Sequence, residues 1–256
     1  MQPNLRVQDG LKRYWLCASC ESRIGQSEAK FATLLFYPYL ADSGRTFQYG
    51  PWLMHFCTSL SWRLACLYLS EGRITNWDAE SVGRLNEAAQ EWREVLLGNK
   101  RHAGRFQQHI LPLDRVESAT MGLPQNINRY LMRAIDMDLC RASDGIYLYS
   151  KLGRFVFLGF AHEPHPNHWR GTKVHANEGT LGPKTYILPR AFGDYLNEKA
   201  RKMAERMKSV SERQKAKIEE AFHQNMDRLI ESDQFAAAMA DVNLFGEDAL
   251  LDQPRD

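Results

Sequence analysis

A chain of 256 residues with 44% hydrophobic and 25% charged side chains can bury a sizeable core, which argues against wholesale disorder. Its formal charge of +2 neither demands nor excludes a nucleic-acid partner, whose footprint would be a local basic face. Five cysteines without regular spacing argue against a disulfide framework and point to a reducing cytoplasm.

The first ten residues, MQPNLRVQDG, are too polar and charged for a signal peptide. Next comes RYWLCASCESR (Arg13 to Arg23), in which Cys17 and Cys20 form a CxxC pair. The short aromatic run before Cys17 predicts a strand. The segment after Cys20 predicts a helix, with Ile24, Phe31 and Leu35 near helical spacing. The pair has three readings: half of a tetrahedral zinc site, a redox dithiol, or two incidental small side chains. A thioredoxin-like motif would need a surrounding βαβ pattern, and none is visible.

Residues 41–51 read as a loop. Trp52 to Leu69 is the most apolar window, yet it contains His55 and Arg63. A bilayer span needs about 20 predominantly apolar residues, and a central arginine costs about 2.5–3.5 kcal/mol on insertion. A buried core helix is therefore predicted, with Cys57 and Cys66 as packing residues. A second helix follows. Thr75 and Asp78 have capping-box-like spacing, Val82, Leu85, Ala89, Trp92 and Leu96 share a face, and Gly98 stands at the stop.

Residues 105–114 suggest a weak strand, and 126–142 a helix ending near Cys140. The period then changes to two, which predicts a β-hairpin around Lys151-Leu152-Gly153. Two further strands are expected in GTKVHA and KTYILP. A last helix from Arg190 to about Ile230 has an apolar edge of Phe192, Leu196, Ala200, Met203 and Met207. Beyond Asp233 the sequence turns acidic, with one apolar motif at Val242, Leu244 and Phe245.

Two other features could carry chemistry. His162, His165 and His168 recur every third residue. In an extended, proline-rich run this spacing would put three imidazoles on one side near Glu163 and form a second candidate metal site; the alternative is a solvated loop. The last helix carries Lys199, Lys202, Arg206 and Arg213 in a basic stretch that could meet phosphates, or could simply be a solvated face.

Gln8 to Glu21, with its QDG followed by LCASCE, resembles a segment of uncharacterised bacterial proteins related to HNH endonucleases. The order is maintained by SLSWR at Ser59–Arg63, by WRGTK at Trp169–Lys173, and by the Ile187 to Leu196 stretch. The resemblance implies a treble-clef-like zinc knuckle in which Cys17 and Cys20 are the second ligand pair. It also implies a preceding CxxC and a Ser-His segment, neither of which stands ahead of Gln8 here, so no catalytic histidine carries over. The missing ligands would come from upstream sequence, from another polypeptide, or from a second copy pooling its thiols into a Cys₄ site.

The expected fold is α+β: a mainly helical body, a small antiparallel β-sheet and a long C-terminal helix. Its expected parts are a partial knuckle with its helix (1–40), a helical core (41–144), the β-hairpin and sheet (145–189), the long helix (190–232) and an acidic tail (233–256). The expected function is a nucleic-acid-associated protein with structural zinc, catalytically incomplete in this chain. The alternative is a non-enzymatic module that binds a protein partner through the C-terminal helix and acidic tail, and a homodimer is the other partner considered. No membrane partner is expected.

Overall fold

Proline at the first helical position, followed by a run of apolar side chains, produces the central helix of the molecule. Helix α3 (Pro51–Ser70) buries residues on nearly every side, as a core helix must. The computed structural model describes residues 15–118, 122–142, 145–162, 165, 167–208 and 211–250. Residues 8–14 of the QDG segment, Glu163, Val210 and the end of the acidic tail lie outside the described residues. Two compact units emerge. The larger comprises Trp15–Pro112 and Ile135–Pro189, and the smaller includes Leu113–Ala134 and the chain from Arg190 onward.

In the larger unit, α1 (Ala18–Phe31) begins inside the CxxC with Cys17 as its N-cap, earlier than the sequence suggests. Of the strand expected before it, residues 13 and 14 lie outside the described residues, and residues 15–17 have no regular structure. A π-helical turn (Ala32–Phe36) joins α1 to α2 (Tyr37–Ala41), and the supposed loop then contains strand β1 (Phe47–Tyr49). Helix α4 (Ala79–Leu97) ends at Gly98 as predicted, but it starts later than the Thr75–Asp78 box suggests: Asp78 itself is the N-cap, and Thr75 lies in the preceding turn. Asp78 accepts a hydrogen bond from the Ser81 N–H at 2.8 Å, and Gly98 closes the helix at φ 85°, a left-handed conformation costly to most side chains.

The main sheet contains β2 (Gln108–Pro112), β3 (Ile135–Ala142), β4 (Gly145–Leu152) and β5 (Phe155–Phe160), all antiparallel, in the order β2-β5-β4-β3. The β4–β5 hairpin is the one predicted. The helix expected over 126–142 is instead α5 (Ile127–Arg133) followed by β3, so Cys140 lies on a strand. Ile135 and Met137 are exposed on this edge strand, and the four-residue spacing of Ile127, Leu131, Ile135 and Leu139 imitates a helical stripe. The strands expected in GTKVHA and KTYILP are reduced to single bridges, His109 with Lys173 and Arg170 with Ile187; β6 (Gly179–Leu181) pairs instead with β1.

Aromatic packing binds these layers together. Phe31 stacks on Phe56 with ring centroids 4.3 Å apart and meets Phe155 and Phe157 edge-on at 5.5 Å. SLSWR has a structural role at each polar position. Ser59 donates to the Phe56 carbonyl, and Arg63 reaches across to Glu28 of α1 at 2.6 Å. Ser61 meets the buried Gln108 amide, whose nitrogen donates to Ser61 Oγ and whose oxygen accepts from Trp92 Nε1. Gly159 of β5 allows this contact, because a Cβ there would lie 2.1 Å from Ser61 Oγ. In WRGTK, Thr172 donates to the Trp169 carbonyl and bonds the buried His109 ring at 2.7 Å.

The smaller unit is helical: α5, α6 (Arg190–Lys208), α7 (Glu212–Gln224), α8 (Met226–Ile230) and α9 (Asp233–Phe245). The helix expected to run unbroken from Arg190 to Ile230 is divided into three. The expected acidic tail contains α9, which packs on α5. Asp241 of α9 is fully buried. It accepts from the N–H groups of Asn128 and Arg129 in the first turn of α5 and from Arg129 Nε at 2.9 Å. The same arginine donates to the Ala249 carbonyl, so one carboxylate holds both the start of α5 and the turn after α9. The α+β class stands: helices dominate, with small antiparallel sheets. No helix among the described residues is long and apolar enough to cross a membrane.

Candidate functional site

Cys17 precedes α1 in an extended conformation, which leaves its thiol exposed at the open end of the helix; Cys20, one turn on, is half-buried. The Ser19 hydroxyl, 3.1 Å from Cys17 Sγ, is the main reason that thiol is lowered to about 7, with Cys20 adding to the effect. Cys20 is raised, chiefly because its proton serves Cys17. Near neutral pH the pair thus offers a thiolate beside a thiol, which suits metal ligation in charge and placement. It supplies two ligands. No group of three His, Cys, Asp or Glu side chains among the described residues is placed to hold a metal ion. The other three cysteines fit packing: Cys57 is buried, and burial pushes the thiols of both Cys57 and Cys66 up.

The histidine series is divided. His165 and His168 come together with rings 4.9 Å apart, fixed by the His168 N–H donating to the His165 carbonyl. His162 packs against Gly145 and lines a separate cavity of about 370 Å³ with Arg84 and Arg105. Both arginines are already ion-paired, Arg84 with Glu80 and Arg105 with Glu87.

The basic stretch is also divided. Lys199, Lys202 and Arg206 lie on α6, whereas Arg213 lies on α7. Lys202 pairs with Glu198 at 3.3 Å, and Lys199 sits 5.5 Å from the Tyr195 ring centre, so part of this charge is used within the helix. Lys202, Arg206 and Arg213 are exposed, and Lys199 is half-buried.

A cleft in the larger unit has no direct signature in the sequence. The face of α1 carrying Arg23 and Lys30, the head of α3, and residues near 100 and 176 enclose an open cavity of about 580 Å³. Lys100 and Arg101 complete four cations around it, and no acidic residue is among its described lining. Arg23 is anchored, donating to the Leu96 and Leu97 carbonyls at the end of α4, and Lys100 is held by Glu91 at 2.5 Å. Trp52 and His55 form the α3 side. His55 Nδ1 bonds the buried Ser27 hydroxyl at 3.0 Å, and burial lowers its pKa below the usual histidine value. Arg23 and Lys30 are seven residues apart, the spacing of one helical face, and were the only legible trace of the cluster.

Comparison with protein-family models, curated proteins and solved structures finds no match.

Proposed function

We propose that this chain is a cytoplasmic, nucleic-acid-associated protein related to HNH endonucleases and catalytically incomplete by itself. The observation that carries this reading is the placement of the CxxC thiols at the open start of α1, Cys17 exposed at the N-cap and Cys20 half-buried one turn on. In the proposal these are two ligands of a structural zinc. When bound, such a metal would tie the chain ahead of Cys17 to the helix and supply folding energy. The remaining ligands come from outside the described residues, including a second copy as one source. Lys199, Lys202, Arg206 and Arg213 would meet phosphates and make the affinity strongly salt-dependent. The general-base histidine needed for hydrolysis is assigned to no residue of this chain.

Two measurements on the purified chain test the reading. Zinc should be present and should fall on Cys17→Ser or Cys20→Ser; one metal per two chains would indicate a shared four-thiolate site. Labelled DNA should bind at low salt, dissociate as salt rises, and bind at least tenfold more weakly to a Lys199→Glu, Arg206→Glu, Arg213→Glu variant. Absence of both zinc and nucleic-acid binding would sink the proposal.

The interaction-module alternative has one feature in its favour. The apolar edge of α6 runs outward from buried Leu196 and Ala200 to Met207, which is 55% exposed. A defined protein partner lost on removal of 190–256, with no nucleic acid bound, would place that reading first.

A further inference from the structure

We infer that the cationic cleft in the larger unit binds a nucleotide, with the phosphate held by Lys30 and Arg101 and the base laid against Trp52. This goes beyond the function proposed for the cysteine pair, because it uses neither those thiols nor the α6 and α7 cations. Of the four cations, Arg23 and Lys100 are fixed in place by protein partners. Lys30 and Arg101 are exposed, and neither has an ion pair among the described residues. Lys100 is matched by Glu91. Among the described residues, Arg23, held only by neutral carbonyls, and the uncommitted Lys30 and Arg101 leave three uncompensated positive charges around a single opening, a preference for an anion. Arg101 adds the planar fork that matches phosphate oxygens, and Lys30 adds a mobile point charge.

The shape narrows the class of anion. About 580 Å³ is far more than one phosphate fills and falls in the ordinary range for a small organic ligand. The wall of the cleft is aromatic and polar as well as charged. Trp52, partly exposed at the head of α3, offers an indole face, while the Gln26 and Asn177 amides can pair with a heterocycle's edge. A basic rim beside a stacking aromatic is the combination by which proteins hold single nucleotides and single-stranded nucleic acid. The ligand chemistry is thus a phosphate joined to a planar base, either as a free nucleotide or as one unit of a strand.

The test is calorimetric titration of the full-length chain with inorganic phosphate, adenosine monophosphate and a single-stranded thymidine oligonucleotide. The mononucleotide or the oligonucleotide should bind at least tenfold more tightly than phosphate alone, and which of them does so identifies the source. Lys30→Glu with Arg101→Glu should weaken that binding at least tenfold. Both side chains are exposed, so the fold should survive, and circular dichroism verifies it. Trp52→Phe, which keeps a ring, should bind better than Trp52→Ala. No binding by either nucleotide probe, equal affinity for phosphate and nucleotide, or affinity unchanged in the double variant would each overturn the proposal. Loss of DNA binding only in the α6 and α7 variant would overturn it while leaving the zinc-knuckle, nucleic-acid-associated function intact.

Discussion

The two units manage buried polarity differently. The larger one distributes it: Ser61, Gln108, Trp92, Thr172 and His109 form small neutral hydrogen-bonded sets within a core of stacked and edge-on aromatics, and the buried Lys151 ammonium donates to the Gly153 carbonyl at the hairpin turn. The smaller one adds a charge to its neutral contacts. Buried Asn126 donates to the Ala200 carbonyl and buried Asn128 pairs with the Val116 backbone, while one carboxylate, Asp241, ties α5, α9 and the following turn together. A core held by many neutral contacts loses a little with each change. A helix pair held by one buried charge has a single point of failure.

Asp241→Ala should therefore be the most damaging polar substitution in either unit. It strips Arg129 and two helix-start N–H groups of their acceptor, at a cost of about 3–5 kcal/mol. Limited proteolysis should then cut near α9 while the larger unit resists, and equal resistance of both units would erase the contrast.

Acid tests the other side of the comparison. Burial holds His109 down to about 3, against an ordinary value of 6.5. Between those values the unfolded chain binds a proton that the native one refuses, so this contribution is complete above pH 6.5 and is lost as pH falls. The limiting slope is about 1.4 kcal/mol per pH unit for one such histidine. His55, lowered for the same reason, acts in the same direction. Denaturant unfolding from pH 6.5 to 5 should show falling stability, with a smaller slope in His109→Gln. An unchanged slope would mean that His109 titrates normally.

The smallest expected effect concerns the ion pair between α1 and α3. Arg63 and Glu28 are 2.6 Å apart but 30% and 40% exposed, so Glu28→Gln should cost about 0.2–1 kcal/mol and vary with salt. A larger loss would show that the larger unit, too, relies on a single charged contact.

Much of this architecture was legible where local chemistry decides it. The Gly98 stop of α4, the buried α3 and the β4–β5 hairpin each follow from side-chain type and period, while the N-terminal cap of α4 falls on Asp78 rather than on Thr75. The helix wrongly expected over 126–142 shows the limit. Ile135, Met137 and Leu139 alternate strictly with Asp136 and Asp138, a strand signal. But Ile127, Leu131, Ile135 and Leu139 are also four apart and mimic a helical face, and on this edge strand the apolar side of the alternation at Ile135 and Met137 faces outward. The long C-terminal helix was over-extended because its apolar stripe continues across the break between α6 and α7. For the site, CxxC marked its own place at a helix start. The cleft cations did not, since Arg23 and Lys30 lie some seventy residues from Lys100 and Arg101 and meet only through packing of α1 beside the end of α4.

The π-helical turn at Ala32–Phe36 has a consequence for chain length. Phe31, Leu35 and Tyr39 stand four apart, and two such steps in a plain α-helix would rotate the last side chain about 80° away from the first. All three are nonetheless buried, and Tyr39 reaches Phe155 with ring centroids 4.9 Å apart. The wide turn acts as a phase corrector, taking up the extra residue that would otherwise swing α2 out of the aromatic core. Loss of one residue within this stretch should therefore be tolerated better than loss of one residue in the plain helix of α1. With it gone, Phe31 and Tyr39 would stand seven apart, about 20° from alignment in an ordinary α-helix, whereas a deletion in plain helix turns everything beyond it by about 100°.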